Sequence, residues 1–450
     1  MQCRPLGRKV PVPEQKPAVG RKVPVPEQKP AVGLRIDLVH RDSWLSPFFP
    51  GNITSTERVK QVVQRSQARV QTLHKSVVLK AAAQLAHKSA RIQGPISAGS
   101  GEFLMEVGIG EPPLSYSGIL DTGSDLIWTQ CLPCDYCYNQ SSPIYDPIQS
   151  STFMTVPCDS SECQAKPNMG CNADHLCNYR YAYGDDSFST GTLSIERFTF
   201  SSESVDEIQF GCGVNNEGHF GQTGGMVGFG RGDLSLISQL GSVGGDKFAY
   251  CLTSFNDYPS RGSPLFIGHT ATFKGAAAVS STPFIQNNAA SSSYYLSLLG
   301  ISLGGALVDI PDDSFDIDQN DGSGGFVIDS GTTFTFLYDG AYQVLRKSLI
   351  SSSTHLEQVD GSEIGLDLCF NVPANNDFNF PTLTFHFEGA DYNVEPENYM
   401  YVDASGVICL AMLPSPNMSI LGNFQQHNYQ ILYDVATNMF SFAPALCDAL

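Results

Sequence analysis

Ile119-Leu120-Asp121-Thr122-Gly123-Ser124 has a counterpart 208 positions later, Val327-Ile328-Asp329-Ser330-Gly331-Thr332. In each stretch two apolar residues, read as the end of a buried strand, run into an Asp, a small hydroxyl residue, a glycine and a second hydroxyl residue. Either Asp tripeptide alone is an ordinary turn sequence. Paired, each behind a strand, they point to one site built from two halves of the chain. Two carboxyls within hydrogen-bonding distance cannot both ionise cheaply, so one keeps a proton. The ionised partner can draw a proton from a water held between them while the protonated one hydrogen-bonds a substrate carbonyl. The nucleophile is then water, and no acyl-enzyme is needed.

The flanking residues suit that chemistry. Gly123 and Gly331 let the backbone turn sharply and bring an amide close to each carboxylate. Ser124 and Thr332 can each donate a hydroxyl to the outer oxygen of their Asp. Met226-Val227-Gly228 and Ile420-Leu421-Gly422 read as partner strands packing under the two Asp loops, with Gly permitting close backbone approach. Each half thus supplies a strand, an Asp loop and an apolar-Gly strand, as expected of an old duplication forming two lobes.

The chain has 450 residues, 42% of them hydrophobic, enough for two or three domains with a real core. No apolar run approaches the roughly 18 residues of a membrane span, so a soluble protein is expected. Abundant Gly, Ser, Thr, Phe and Tyr with little helical periodicity predict mostly strand. Residues 1–93 hold 17 of the 26 Lys and Arg but only 5 of the 45 Asp and Glu, leaving 9 basic against 40 acidic residues in the remainder. That asymmetry fits a basic arm for nucleic acid or a basic segment lying on an acidic body. A body so acidic hints at an acidic working compartment.

Of thirteen cysteines, all but Cys3 lie between 131 and 447, an even twelve that implies disulfides and an oxidising compartment. Sequons at Asn52, Asn139 and Asn417 agree with secretion. The N-terminus shows no apolar leader core. Instead, residues 7–19 recur identically at 20–32, a Pro-rich charged repeat read as extended and without function of its own.

From Thr54 the pattern becomes helical: Thr54 and Glu57 suit a capping box, followed by Val59, Val63, Val70, Leu73 and Val77, and the helix is expected to end before Gly94-Pro95. Strands then deliver Asp121, and Trp128 follows; a buried indole needs an N–H partner, for which Tyr183 is a candidate. Cys131, Cys134 and Cys137 superficially resemble a metal-cluster signature, but the expected fourth Cys-Pro is absent and no metal is assigned. Cys158, Cys163, Cys171 and Cys177 crowd into a stapled insertion. Tyr179 to Asp185 and Thr192 to Ile195 read as a hairpin, tipped near Gly184, that could close over a substrate. Arg231-Gly232-Asp233 falls in a Gly-rich turn and is read as structural. Asp316, Asp318 and Asn320 mimic a calcium loop, yet Asp321 stands where Gly is needed and Val327 where Glu is needed.

Asp121-Thr122-Gly123-Ser124-Asp125-Leu126-Ile127-Trp128, the cysteine-rich insertion before Tyr183-Gly184-Asp185, and Asp329-Ser330-Gly331-Thr332-Thr333 together resemble the pepsin-like aspartic endopeptidases, and within them the plant nepenthesin-like group. The resemblance covers about residues 34 to 447, and Ile36 to Ser43 is similar to the start of that group's propeptide. It implies an all-β, bilobal fold with the cleft between lobes and a partly helical propeptide in front. The implied organisation is 1–33 repeat, 34–94 basic propeptide, 95–270 N-terminal lobe and 271–450 C-terminal lobe.

Asp121 and Asp329 would be the dyad, Tyr183 the flap tyrosine held by Trp128, and the partners a peptide substrate and the chain's own propeptide. No cofactor, nucleic acid or membrane is implied, and the protein is expected to be a monomer, secreted or vacuolar, glycosylated at Asn139 and Asn417. The resemblance also implies the pairs Cys131–Cys134, Cys137–Cys212, Cys158–Cys177, Cys163–Cys171, Cys251–Cys447 and Cys369–Cys409. Asn423 departs from the Asp common in the family and is expected to be structural. The alternative is an inactive protein of the same fold that inhibits glycanases. Because Asp121, Asp329, Ser124, Thr332 and Tyr183 are all present, an endopeptidase made as a zymogen is the preferred reading.

Overall fold

Strand β3 (Leu114–Asp121) carries Ile119 and Leu120 into the core and ends on Asp121. A computed structural model describes residues 33–49, 51, 53–86, 103–164, 166, 168–183, 187–218, 220–244, 246–254, 262–275, 278–372 and 379–450. The repeat at 7–32, Cys3, Asn52, Gly94-Pro95, Gly184 and Asp185 lie outside these residues. β3 pairs antiparallel with β2 (Phe103–Ile109) and parallel with the strand Gly225–Gly228, in register Ile119 to Met226 and Asp121 to Gly228. The chain returns from the Asp121 loop as β4 (Trp128–Gln130), which lies antiparallel on the other side of Gly225–Gly228.

The second half repeats this plan. Strand Phe326–Ile328 leads to Asp329 and runs parallel to Ser419–Leu421, with Val327 opposite Ile420; the return strand Thr335–Tyr338 then pairs Phe336 antiparallel to Ile420. The two apolar-Gly segments therefore lie where the sequence placed them. A Cβ on Gly228 would run into the backbone of Asp125, and one on Gly422 into the backbone of Thr333 and Phe334. Only glycine lets each partner strand approach its Asp loop so closely.

The fold is all-β and bilobal. The halves meet in a sheet that includes Lys247–Cys251, Ser263–Gly268 and Tyr429–Asp434. Phe248 stacks on Tyr433 there with centroids 4.4 Å apart. The N-terminal segment is built into this sheet: β1 (Gly33–His40) pairs along Ser263–Gly268 and then reaches Leu104 and Phe103 of β2. Its alternation puts Leu34, Ile36 and Leu38 in the core.

Helix α1 (Ser55–Ala86) begins as expected, with the Glu57 amide donating to Thr54 Oγ1 at 3.1 Å. The Ser55 and Thr56 hydroxyls donate to the buried Asp403 at 3.0 and 3.1 Å, fixing the helix start to the C-terminal half. Val59, Val62, Val63, Val70, Leu73 and Val77 are buried in a cluster with Tyr295, Phe334, Phe336, Ile364, Leu366, Tyr401 and Phe424. Each such side chain contributes on the order of 1.5–3 kcal/mol on burial, so packing rather than helix propensity holds α1 in place.

The disulfides depart from the implied pairing at four of six bridges. Parallel pairing of β4 with the strand ending at Glu217 sets Thr129 beside Cys212; Cys131, two residues further on, bonds Cys212 (Cα–Cα 5.4 Å), and Cys134–Cys137 closes a local turn. Cys171 and Cys177 face each other across a hairpin yet bond outward, to Cys158 and Cys163. Cys251–Cys447 and Cys369–Cys409 join as the resemblance implied. Non-reducing peptide mapping should therefore recover Cys131 linked to Cys212; a fragment joining Cys137 to Cys212 would contradict this arrangement.

Candidate active site

Both Asp loops converge on a single buried floor. The Ser330 amide donates to Thr122 Oγ1 at 3.0 Å, and the Thr122 hydroxyl lies 3.1 Å from Asp329 Oδ1 and 3.2 Å from Ser330 Oγ. The hydroxyl residue after each Asp thus joins one loop to the other. The Gly123 amide donates to Asp121 Oδ1 at 3.0 Å, and the Ser124 hydroxyl donates to Asp121 Oδ2. Across the pseudo-repeat, the Thr332 hydroxyl donates to Asp329 Oδ2 at 2.7 Å. Asp121 is 2% exposed and Asp329 1%. Two carboxylates this buried require a proton or a cation between them.

The hairpin side is also assembled. Trp128 Nε1 donates to the Tyr183 hydroxyl at 2.5 Å, and Phe220 packs edge-on against both rings. The Tyr183 amide closes on Ser187 O at 2.8 Å. Burial pushes the Tyr183 phenol well above its ordinary pKa, keeping it neutral. Asn423 is fully buried and donates through Nδ2 to Ser330 O at 2.9 Å, bracing the Asp329 loop from below.

Comparison with known proteins places the chain in a family. Family models described as xylanase inhibitor N-terminal and xylanase inhibitor C-terminal match residues 103–269 and 293–444. Aspartic proteinase nepenthesin-1 of Nepenthes gracilis is 41% identical over 88% of this chain and 88% of its own. Nepenthesin-2 of the same plant is 40% identical over 92% of this chain and 90% of its own. The chain belongs to the pepsin-like aspartic proteinases. Among solved structures, soybean Basic 7S globulin shares the fold, with a TM-score of 0.60 at 18% identity over 76% of this chain and 92% of that one.

The proteinase holds one residue at this site that the sequence did not single out. Arg69, on α1, donates through Nη2 to Asp121 Oδ1 and, at 3.1 Å, to Asp329 Oδ1; its Nε donates to Asp329 Oδ2 at 3.0 Å. It is 3% exposed. Arg69 falls within the apolar stripe, seven residues after Val62 and four before Leu73. A charge at a buried helical position demands a buried partner, and that was the available signal. Burial acts to lower the Arg69 pKa, but the two carboxylates outweigh it and raise it. Burial likewise acts to raise Asp329, yet the Arg69 charge and hydrogen bond, with the Thr332 hydroxyl and Gly331 amide, hold it below its ordinary 3.8.

Elsewhere in the proteinase, Ser302 Oγ and His386 Nε2 lie 2.7 Å apart, and His386 Nδ1 lies 2.7 Å from Asp391 Oδ1. Ser302 sits within a strand, flanked by Leu307 on one side and Thr384 on the other. Its backbone serves the sheet ladder, so the trio reads as a cross-strand polar row. Among the described residues no group of three or more His, Cys, Asp or Glu is placed to hold a metal, and no helix is long and apolar enough to cross a membrane.

Arg69→Met leaves two facing buried carboxylates without their cation, and is expected to cost about 3–5 kcal/mol at pH 7. A depressed carboxylate pKa contributes stability above its ordinary value that is lost as pH falls through the folded one. The deficit should therefore shrink on the acid side of 3.8. Denaturant midpoints of parent and variant at pH 7 and pH 3 measure it.

Proposed function

We propose that Asp121 and Asp329 form the water-activating dyad of an acid endopeptidase, and that residues 34–94 are a removable segment that holds the dyad silent. The lobes would then be residues 95–270 and 271–450. The observation that carries this reading is Arg69, whose Nη2 contacts both carboxylates and stands where the nucleophilic water would lie. With it in place, Asp329 is held ionised at neutral pH and no substrate carbonyl reaches the pair.

Once Arg69 leaves, the two carboxylates share a proton, because like charges in a buried site cannot both persist. The ionised member deprotonates water, the protonated member polarises the peptide carbonyl, and both return to their starting states as the amine leaves. Ser124 and Thr332 hold the outer oxygens, so each carboxyl keeps its plane through the cycle. Tyr183 would lower a neutral, apolar-backed side chain over the bound peptide. Substrates are expected to be extended peptides or unfolded proteins.

Acid supplies the release. Protonation of Asp329 removes half of the charge that retains Arg69, and Asp403, which burial would raise but Ser405 and then the Ser55 and Thr56 hydroxyls hold below its ordinary pKa, loses its hold on the start of α1. A secreted or vacuolar monomer, glycosylated at the exposed Asn139 and the half-buried Asn417, suits this acid dependence and the six disulfides. The complete set of polar groups around both carboxyls favours an enzyme over an inactive inhibitor of the same fold.

Incubation of the full-length chain near about pH 3.5 should remove roughly the first 90 to 100 residues and yield cleavage of a denatured protein. Asp121→Asn and Asp329→Asn should each abolish turnover, measured with intact mass alongside. Retained turnover in either variant would sink the dyad assignment.

A further inference from the structure

We propose that Asp125 is a positioning residue that sets the spacing of the two carboxyls from outside the dyad, through a three-way junction between the Asp121 loop, the 229–232 turn and the strand that flanks Asp329. The inference rests on the reading of Asp121 and Asp329 as the dyad.

The junction is built from one carboxylate. Asp125 Oδ1 accepts from the Gly232 amide at 2.8 Å, and Oδ2 accepts from the Ser292 hydroxyl at 2.5 Å. The Asp125 amide donates to the Tyr181 hydroxyl at 3.2 Å, tying the same residue to the hairpin strand that leads to Tyr183, two residues before it. Backbone bonds run in parallel: the Phe229 amide to Asp121 O at 2.7 Å, Gly230 to Ser124 O at 2.8 Å, and Arg231 to Ser292 O at 3.1 Å. The turn 229–232 is therefore held between the Asp121 loop and Ser292. A side chain on Gly230 or Gly232 would collide with the Asp125 carboxylate, so the turn can close on it only with glycine at both positions.

Ser292 leads directly to the other carboxyl. Two residues on, Tyr294 donates its hydroxyl to Phe229 O at 2.7 Å and pairs in register with Ile328, the residue before Asp329. The path from Asp121 to Asp329 through Asp125 and Ser292 crosses from one half of the chain to the other with few rotatable links. Thr122 and Ser330 join the loops beneath the dyad; Asp125 and Ser292 join them at its side. Two separated braces fix an angle as well as a distance, which a single contact cannot do.

This also accounts for Arg231-Gly232-Asp233. Arg231 donates to Asn438 Oδ1 at 2.6 Å and lies 5.5 Å over the Phe284 ring, while Gly232 supplies the amide that meets Asp125. The tripeptide is a strut between halves of the molecule.

A misplaced reacting group costs turnover more than binding, on the order of 10²-fold for about 1 Å. Each variant is made in the full-length chain, acid-activated, and assayed for kcat and KM on a short chromogenic peptide. Asp125→Ala should lower kcat about 10- to 100-fold with KM changed less than about threefold. Asp125→Asn keeps an acceptor for Gly232 and offers Ser292 a donor, so it should restore most of that loss. Ser292→Ala cuts only the link between halves and should fall between them; it also carries the test if Asp125→Ala does not fold. An unchanged kcat in Asp125→Ala or Ser292→Ala, a loss confined to KM, or a loss in Asp125→Asn as deep as in Asp125→Ala would overturn the inference. Asp329→Asn run alongside separates the two claims: turnover by that variant removes the dyad reading itself, whereas its silence beside a normal Asp125→Ala removes only this one.

Discussion

Two carboxylates buried side by side are tolerable only if something positive lies between them, and the structure is arranged around that constraint. In the intact chain the positive group is the Arg69 guanidinium, which reaches Asp121 and Asp329 through one fork of nitrogens. A planar guanidinium serves here better than an ammonium, since it meets two carboxylates at fixed geometry and stays charged at every relevant pH. The floor below answers the same constraint with hydroxyls and amides: Ser124 and Gly123 for one carboxyl, Thr332 and Gly331 for the other. Removing Arg69 leaves a site whose resting charge must drop by one proton. In the proposed dyad that shared proton would divide acid from base.

The N-terminal segment is held by three contacts of different kinds. β1 completes a sheet, the apolar face of α1 fills a groove of the C-terminal half, and the start of α1 is hydrogen-bonded to Asp403. Arg65 adds an ion pair to Asp42, which burial would raise but the neighbouring cations keep below the ordinary carboxylate range. The carboxylates among these partners lose charge in acid while the apolar contacts do not. Acid is therefore expected to weaken the polar anchors of the segment first, while β1, woven into the central sheet, keeps its backbone and apolar contacts.

Much of this was legible in the residues. The repeated strand-Asp loop was readable because buried strands leave apolar pairs and an Asp loop leaves a fixed hydroxyl-Gly-hydroxyl pattern; the partner strands at Gly228 and Gly422 followed from the need for close approach. Hydrogen-bonding need made Tyr183 a candidate partner for Trp128, and the family resemblance implied the pair that the structure holds. The disulfide pairing was not readable, because it depends on the parallel pairing of β4 with a strand some eighty residues away. A basic segment lying on an acidic body does not say which Lys or Arg reaches the carboxylates, although the place of Arg69 in the stripe with Val62 and Leu73 marked it as buried. Asp125 was hidden because its partners come from three distant segments, and no local spacing announces such a junction.

The central claim is that the charge of Arg69 keeps the Asp121 and Asp329 pair silent until acid displaces it. The most direct test is the pH at which freshly diluted, uncleaved chain begins to turn over a quenched peptide, compared between the parent and Arg69→Met, with intact mass confirming that neither has lost its N-terminal segment. Loss of the ion pairs should move that onset upward by about one pH unit or more, each unit corresponding to about 1.4 kcal/mol of lost interaction. An onset at the same pH in both proteins would contradict the account.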